Sequence, residues 1–525
     1  MYLNDKILVA KNAEKEIYLL PKMANRHGII TGASGSGKTI TLKVLAESFS
    51  NAGVPVFMVD VKGDLAATCK AGVANENVTS RVEKMGLENF DFHAFPVTFF
   101  DVYGKNGHPI RTTISSLGAR LLARMLDLSD AQEGVLAIVF QIAEDEKLEM
   151  IDLKDLQKLL TYVGERRNEY SLKYGNISIQ SIGSIQRNLL QLEQDGGAHF
   201  FGKPDFNIRD LIRYNTMDGY GYINILDAQE LFKKPTLYAT FLIWLLTSVY
   251  NTLPEVGDLP KPRLVLFFDE AHLLFSEMSS NVVKQIIQIV KLIRSKGVGV
   301  YFISQSPSDV PDEILAQLGN KVQHVLRSYT PSDEKAIRAA VNSFRGNPAF
   351  DEAEAIKSLA TGEALVSMLD EKGEPTIVER AKILPPQSMM GALDDADRKS
   401  EIYSSQLYMK YEELIDDDSA YEKISKLNEE MEKKKALEEE AKLKAKEEAE
   451  AAKLRAIEER ELARKEKEEA RIKALKEKEE ARKAKEEERA RKNSVGYKLG
   501  KKVVNKTTDK LLNKGLNKLL KGLFK

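Results

Sequence analysis

The residues Gly32-Ala33-Ser34-Gly35-Ser36-Gly37-Lys38-Thr39 carry the plainest chemistry in the chain. In the spacing G-x-x-x-x-G-K-T the glycines let successive backbone N–H groups turn inward around a phosphate. Lys38 sets a point charge between the β- and γ-phosphates of ATP, and the Thr39 hydroxyl ligates Mg2+. A second stretch, Arg263 to His272, runs five apolar residues into Asp269-Glu270. At the carboxyl end of a buried parallel strand Asp269 would hold the metal, and Glu270 would orient and deprotonate an attacking water. An Asp-Glu pair at a strand end also fits a strand-to-helix cap; beside a phosphate loop it reads as nucleotide chemistry. A third apolar run, from Val298, ends in Ser304-Gln305. Gln305 stands where a γ-phosphate sensor would, or simply closes the strand. The six histidines show no metal-ligand spacing, none pairs with Cys69, and no serine occupies a G-x-S-x-G turn, so nucleophilic hydrolysis has no support.

These residues need a sheet with the loops at its carboxyl edge. Gly28-Ile29-Ile30-Thr31 supplies the strand before the loop, and Ile40 to Ser50 has helical spacing after it. Pro55 to Asp60 is a second strand, closed by a Lys62-Gly63-Asp64 turn, and a third ends at Val97 to Asp101. Upstream, alternation over Lys6 to Val9 and Glu16 to Leu20 predicts a small strand pair. From about 111 to 214 the pattern is helical, with Leu117, Leu121, Leu122, Met125 and Leu128 at three- and four-residue spacing, and reads as a helical insertion. Gly219 to Leu226 returns to strand. Leu237 to Tyr250 is apolar but shorter than the roughly 20 residues a bilayer crossing needs, so it reads as a core helix. A helix over Val282 to Lys296, strands over Lys321 to Arg327, Ala364 to Met368 and Thr376 to Arg380, and a helix from Pro331 complete the pattern. Pro385-Pro386 then closes the globular part, residues 1–390.

A formal net charge of −1 over 525 residues hides three unlike regions. After a linker at 391–418, residues 419–492 are nearly all Glu, Lys, Arg and Ala. Heptads are not sustained there, so a solvated single helix held by i,i+4 pairs is expected, with a partial coiled coil at its start as the alternative. Residues 493–525 read as a basic amphipathic helix. Such a helix could lie on an anionic membrane, pack on protein, or contact nucleic-acid phosphates. Gly515 and Gly522 weaken it as a freestanding helix and favour docking on a partner protein or on the chain's own ATPase domain. A single cysteine and an opening unlike a signal peptide point to the cytoplasm.

The ordered set Asn25-Arg26-His27-Gly28, Val59 to Asp64, Phe268 to His272, and Gly297 to Val300 leading into Ser304-Gln305-Ser306-Pro307 resembles the HerA-like branch of the HerA/FtsK ATPases. It looks closest to shorter bacterial members without the N-terminal barrel, over about residues 5–390. The resemblance implies an α/β, RecA-like P-loop NTPase with a mostly parallel sheet. It further implies a ring motor, commonly a hexamer, that hydrolyses ATP with Mg2+ to translocate or unwind DNA. Lys38 and Thr39 match the loop pair, Asp269 and Glu270 the metal and water-activating pair, and Gln305 the sensor. Arg26 resembles the arginine that reaches a neighbouring subunit's nucleotide, and Arg294 one that acts within the same subunit, with Arg327 a competing candidate. Two other readings remain open: a motor that handles protein, as secretion ATPases related to this branch do, and a scaffold switched by nucleotide.

Overall fold

The computed structural model describes residues 1–276, 278 and 280–493. The basic segment expected over 493–525 lies, beyond its first residue, outside the described residues. The chain divides into a compact unit, Met1–Asn428, and a second unit from Glu429 onward.

Thirteen strands form one sheet in the described part of the first unit. They are β1 (Tyr2–Leu3), β2 (Lys6–Lys11), β3 (Glu16–Leu19), β4 (Gly28–Thr31), β5 (Val56–Asp60), β6 (Val97–Asp101), β7 (His108–Pro109), β8 (Ile223–Asp227), β9 (Leu264–Phe268), β10 (Val298–Ser304), β11 (Asn320–Gln323), β12 (Glu363–Ser367) and β13 (Glu379–Ile383). The order β11-β4-β10-β9-β5-β8-β6-β7 is parallel throughout. An antiparallel extension, β12-β13-β2-β1, continues past β11, and β3 pairs with β2. The parallel strands β4, β5, β8, β9 and β10 are buried at every residue, as expected where both faces of a sheet are covered.

Helices cover both faces. Lys38–Asn51 follows the loop, and Pro235–Thr252 has its Pro at the first turn and Leu237, Phe241, Leu245 and Val249 fully buried. Each such side chain contributes about 1.5–3 kcal/mol of apolar burial. Among the described residues no helix is long and apolar enough to cross a membrane. Between β7 and β8 the chain is largely helical. Asp130–Asp145 begins with a Ser129/Gln132 capping box, and Ile182, Ile185, Leu189 and Leu192 of Ile179–Gln194 line one buried face.

Three boundaries differ from expectation. β11 stops at Gln323, because the chain then turns to lie against the phosphate loop through Ala33 N–H to Val325 O (2.8 Å). β13 lies later than Thr376 to Arg380, and β8 starts only at Ile223. Residues 391–418, expected as a linker, hold the helix Asp395–Ser404 and bury Leu393, Leu407 and Tyr411. Arg398 there meets Asp227 at 3.3 Å, with both side chains buried.

The long helix, Ala420–Asn493, is continuous. Its first turn is fixed by Asp155, whose Oδ1 accepts Ser419 Oγ–H (2.5 Å) and Tyr421 N–H (2.9 Å). The same carboxylate's Oδ2 caps the helix Leu153–Glu165 through Ile151 N–H and Asp152 N–H.

Candidate nucleotide site

The loop turns out of β4 at Thr31, whose hydroxyl donates to Gln323 Oε1 (2.6 Å). At Gly37 the backbone has φ +113°, a conformation that strains any L side chain, and a Cβ would also sit tightly, at 3.3 Å, against the backbone of Gly362. Lys38 is buried, and its Nζ donates to Gly32 O (2.7 Å) and Ala33 O (3.2 Å). Burial holds its ammonium below the usual lysine range. Ser36 Oγ is buried with no hydrogen-bond partner among the described residues, a donor turned into the loop. Behind the loop, Thr41 Oγ1 meets His324 Nε2 at 2.8 Å while His324 Nδ1 faces Glu363 O at 3.0 Å. Burial pushes this imidazole down to about 4, so it is neutral and Nδ1 carries the proton.

Parallel register brings Asp269 and Glu270 alongside. β10 pairs with both β4 (Ser304 opposite Thr31) and β9 (Phe302 opposite Phe268), so the residues after β4, β9 and β10 emerge on one edge. Asp269 is buried, and burial, then the neighbouring Glu270 charge, lift its carboxyl to about 7. Glu270 has the left-handed φ of +51°, unusual for a non-glycine residue and costing on the order of 1 kcal/mol or more. Burial pushes its carboxyl up, but Lys62, then His272 and Lys38, outweigh this and hold it below the usual range. Lys62 Nζ lies 2.5 Å from Glu270 Oε1. Glu270 Oε2 is 3.2 Å from His272 Nδ1 but forms no hydrogen bond with it, leaving a buried acceptor open. The Lys62 turn is fixed by Asp60, which accepts Lys62 N–H, Gly63 N–H and Leu65 N–H. The sequence marks Lys62 only as part of the turn after the second strand; its place beside Glu270 follows from the pairing of β5 with β9.

Gln305 is exposed just past β10, on the same edge. Arg26 and Arg294 are not brought there. Arg26 ends the turn Pro21–Arg26 before β4, with its guanidinium against the Gly373 turn, and Arg294 opens the turn Arg294–Lys296 before β10. Both sit at the amino-terminal edge. The four residues of β4 alone separate that edge from the loop by about 13 Å at 3.3 Å per residue. Arg294, expected to act within its own subunit, thus lies on the edge opposite its own loop, because in a parallel sheet a residue before β10 and one after β4 face opposite edges. Arg327, past the carboxyl end of β11, lies on the loop's edge and is exposed.

Next to Gly37 opens a cavity of about 550 Å³, lined by Ile40, Asn77, Arg81, Gly362, Pro385 and Met390 among others. Arg81 closes one side, its Nε donating to Ile383 O (2.8 Å) and its Nη2 to Gly362 O. Buried Lys43 and Glu47 of the loop helix hold the segment beyond Pro386, through Met389 O and through Gln387 N–H and Ser388 N–H. The site therefore joins a phosphate-type loop, a carboxylate pair and an adjoining cavity.

The model of the family described as "Helicase HerA-like C-terminal" matches residues 5–511. The DNA double-strand break repair helicase HerA of Sulfolobus acidocaldarius is 22% identical over 370 residues, 68% of this chain and 65% of that protein. The protein of the same name from Saccharolobus solfataricus is 31% identical over 382 residues, 68% of this chain and 64% of its own length. The match thus spans less than two thirds of these relatives. Among solved structures, the bacterial conjugative coupling protein TrwB aligns at 16% identity and a TM-score of 0.48, over 74% of this chain and 92% of that one. VirB4 of Thermoanaerobacter pseudethanolicus aligns at 15% and 0.46, over 73% and 97%. With the phosphate loop, the carboxylate pair and the parallel sheet in their places, the chain belongs to the helicase HerA-like C-terminal family of P-loop ATPases.

Proposed function

We propose that this chain is a Mg2+-dependent ATP hydrolase that assembles into a ring, a hexamer in the form the family resemblance implies, and moves DNA as a translocase or helicase. The observation that carries the catalytic part is the convergence of Lys38, Asp269 and Glu270 on one sheet edge beside a cavity of nucleoside size. The loop amides and Lys38 bind the phosphates. Thr39 and buried Asp269 offer two oxygens, a small set that suits Mg2+, which keeps several waters and takes phosphate oxygens. When bound, the metal neutralises charge on the β- and γ-phosphates. Glu270 Oε2, buried and open, accepts the proton of the attacking water while Lys62 holds Oε1. Gln305 faces the γ-phosphate side. Arg26, on the far edge from its own loop, serves the nucleotide of a neighbouring subunit, and Arg294 on that edge is assigned to the same interface.

DNA as the substrate rests on family relatives named as DNA repair helicases. The decisive experiment compares wild type, Lys38→Ala and Glu270→Gln. Lys38→Ala loses nucleotide binding; Glu270→Gln binds ATP and hydrolyses it about 10²–10⁴-fold more slowly. Wild-type turnover in Glu270→Gln would sink the assignment. Stimulation of turnover by duplex DNA at low salt supports the DNA motor, whereas indifference to DNA favours a protein substrate. The long charged helix favours a second reading, a nucleotide-switched scaffold, for which slow turnover with one retained nucleotide per subunit is the mark.

A further inference from the structure

The long helix carries its charge in rows. At about 3.6 residues per turn, positions recurring at intervals of fours and sevens fall on one line along a helix. On one such line every residue from Lys435 to Arg489 is Lys or Arg, with Lys446, Lys453, Arg460, Arg464, Arg471 and Lys478 at its middle, all exposed. Beside this ridge runs an exposed, mostly uncharged strip that includes Ala445, Ala452, Ala456, Ala463, Ala470 and Ala474, with Lys467 and Lys485 on its ridge side. Along the far border of the strip stand Glu448, Glu459, Glu466 and Glu477. The pattern repeats every 18 residues, which is about five turns, so the rows run straight instead of winding left-handed as a seven-residue repeat would.

A solitary solvated helix needs opposite charges four residues apart, as in Lys444–Glu440 at 2.7 Å. It does not need an uncharged strip with a basic row on one border and an acidic row on the other. That arrangement is self-complementary in one orientation only. Two parallel copies facing across the strip set each basic ridge against the other's acidic row, whereas antiparallel copies set ridge against ridge. A polyanion fits less well, because the ridge is bordered on its other side by Glu450, Glu461, Glu468 and Glu479, which a phosphate backbone laid along it would meet. We infer that the long helix pairs side by side, parallel and in register, with the same helix of a second copy of this chain. Alanine methyls bury little area, so the pairing is weak between free chains and becomes populated when copies are already held in one assembly, where effective concentration is high.

The test uses the full chain carrying Cys69→Ser, with one new cysteine either on the strip (Ala456→Cys, Ala463→Cys) or on the opposite face (Glu458→Cys). Because a disulfide needs Cα atoms within about 7 Å, oxidation should join two copies at least about tenfold faster from the strip than from Glu458→Cys. A mixture of Ala456→Cys and Ala474→Cys chains should give no mixed cross-link, since in parallel register the two sites lie about 27 Å apart at 1.5 Å per residue. Arg460→Glu with Arg464→Glu and Arg471→Glu should slow the Ala456→Cys cross-link while circular dichroism reports unchanged helix. Equal rates on both faces, a mixed Ala456–Ala474 cross-link, or indifference to the ridge inversions overturns the pairing. A chain that hydrolyses ATP but yields no strip cross-link also overturns it and leaves the motor reading intact; strip cross-linking in a chain without turnover does the reverse.

Discussion

Lys62 Nζ sits 2.5 Å from Glu270 Oε1, across 208 residues of sequence. The contact follows from parallel pairing of β5 with β9, Val59 opposite Phe268, which sets the turn after one strand beside the turn after the other. It holds one oxygen of a carboxylate whose backbone is in a disfavoured conformation, and leaves the second oxygen open. Lys62→Met should therefore lower kcat on the order of tenfold, part of what general-base catalysis supplies, with ATP affinity retained. Steady-state turnover and equilibrium nucleotide binding decide it, and an unchanged kcat would reduce the pair to a structural contact.

If Arg26, at the edge away from its own loop, serves a neighbouring subunit's nucleotide as proposed, turnover depends on assembly. Arginines supplied between subunits are worth about 10³–10⁵ in rate in related phosphohydrolases. Turnover per chain should rise with protein concentration. Arg26→Ala mixed with Lys38→Ala should recover activity that neither has alone, because a mixed interface pairs an intact loop with an intact arginine. No recovery in the mixture argues against Arg26 crossing the interface.

The cavity beside Gly37 makes a separable prediction for the base and sugar. Ser80, on the helix Glu76–Met85, lines it. Ser80→Trp should fill it and weaken ATP binding about tenfold, or roughly 1.4 kcal/mol, while inorganic tripolyphosphate binds as before. Calorimetric titration of both ligands separates the two halves; parallel losses would place the nucleoside elsewhere.

Two buried imidazoles tie stability to pH. Burial pushes His27, whose Nδ1 accepts Val300 N–H at 3.1 Å, down to about 4, as it does His324. The unfolded chain binds these protons near 6.5 and the folded chain only near 4, so stability is complete above about 6.5 and falls as pH drops toward 4, by up to roughly 3 kcal/mol per group. Asp269, lifted to about 7, and Asp60, lifted to about 6, act in the opposite sense over the same window. The imidazole contribution is therefore read as the difference in urea midpoint between wild type and His27→Asn, which suits a positive φ and keeps an acceptor. That difference should shift in favour of His27→Asn from pH 7 to 4.5. A difference independent of pH over this window contradicts the assignment.

The candidate site is legible in the sequence because phosphate and metal would dictate its spacing, in Gly32 to Thr39 and in Asp269-Glu270, and the parallel register sets these stretches on one sheet edge. The parallel core was legible for a similar reason, since strands covered on both faces are written as unbroken apolar runs such as Leu264–Phe268. What remained hidden is which edge a residue faces. Arg294 precedes a strand and Arg327 follows one, and only register with β4 separates them by the height of the sheet. Lys62 was hidden in the same way, because its partner lies on another strand. Residues 391–418 looked like a linker because acidic runs mask a few well-placed apolar side chains, Leu393, Leu407 and Tyr411, which are nonetheless buried.

The position of β4 sets a timetable for synthesis. Both of its sheet neighbours, β10 and β11, come from the far end of the unit, the nearer beginning at Val298. At about 5–20 residues per second, a ribosome that has just finished Thr31 needs roughly 13–55 s more to deliver that first neighbour. Through that interval Ile29 and Ile30 have no strand on either side. Nascent chains should therefore reach nucleotide competence late and together, and stalled chains ending before Val298 should depend on a chaperone to stay unaggregated.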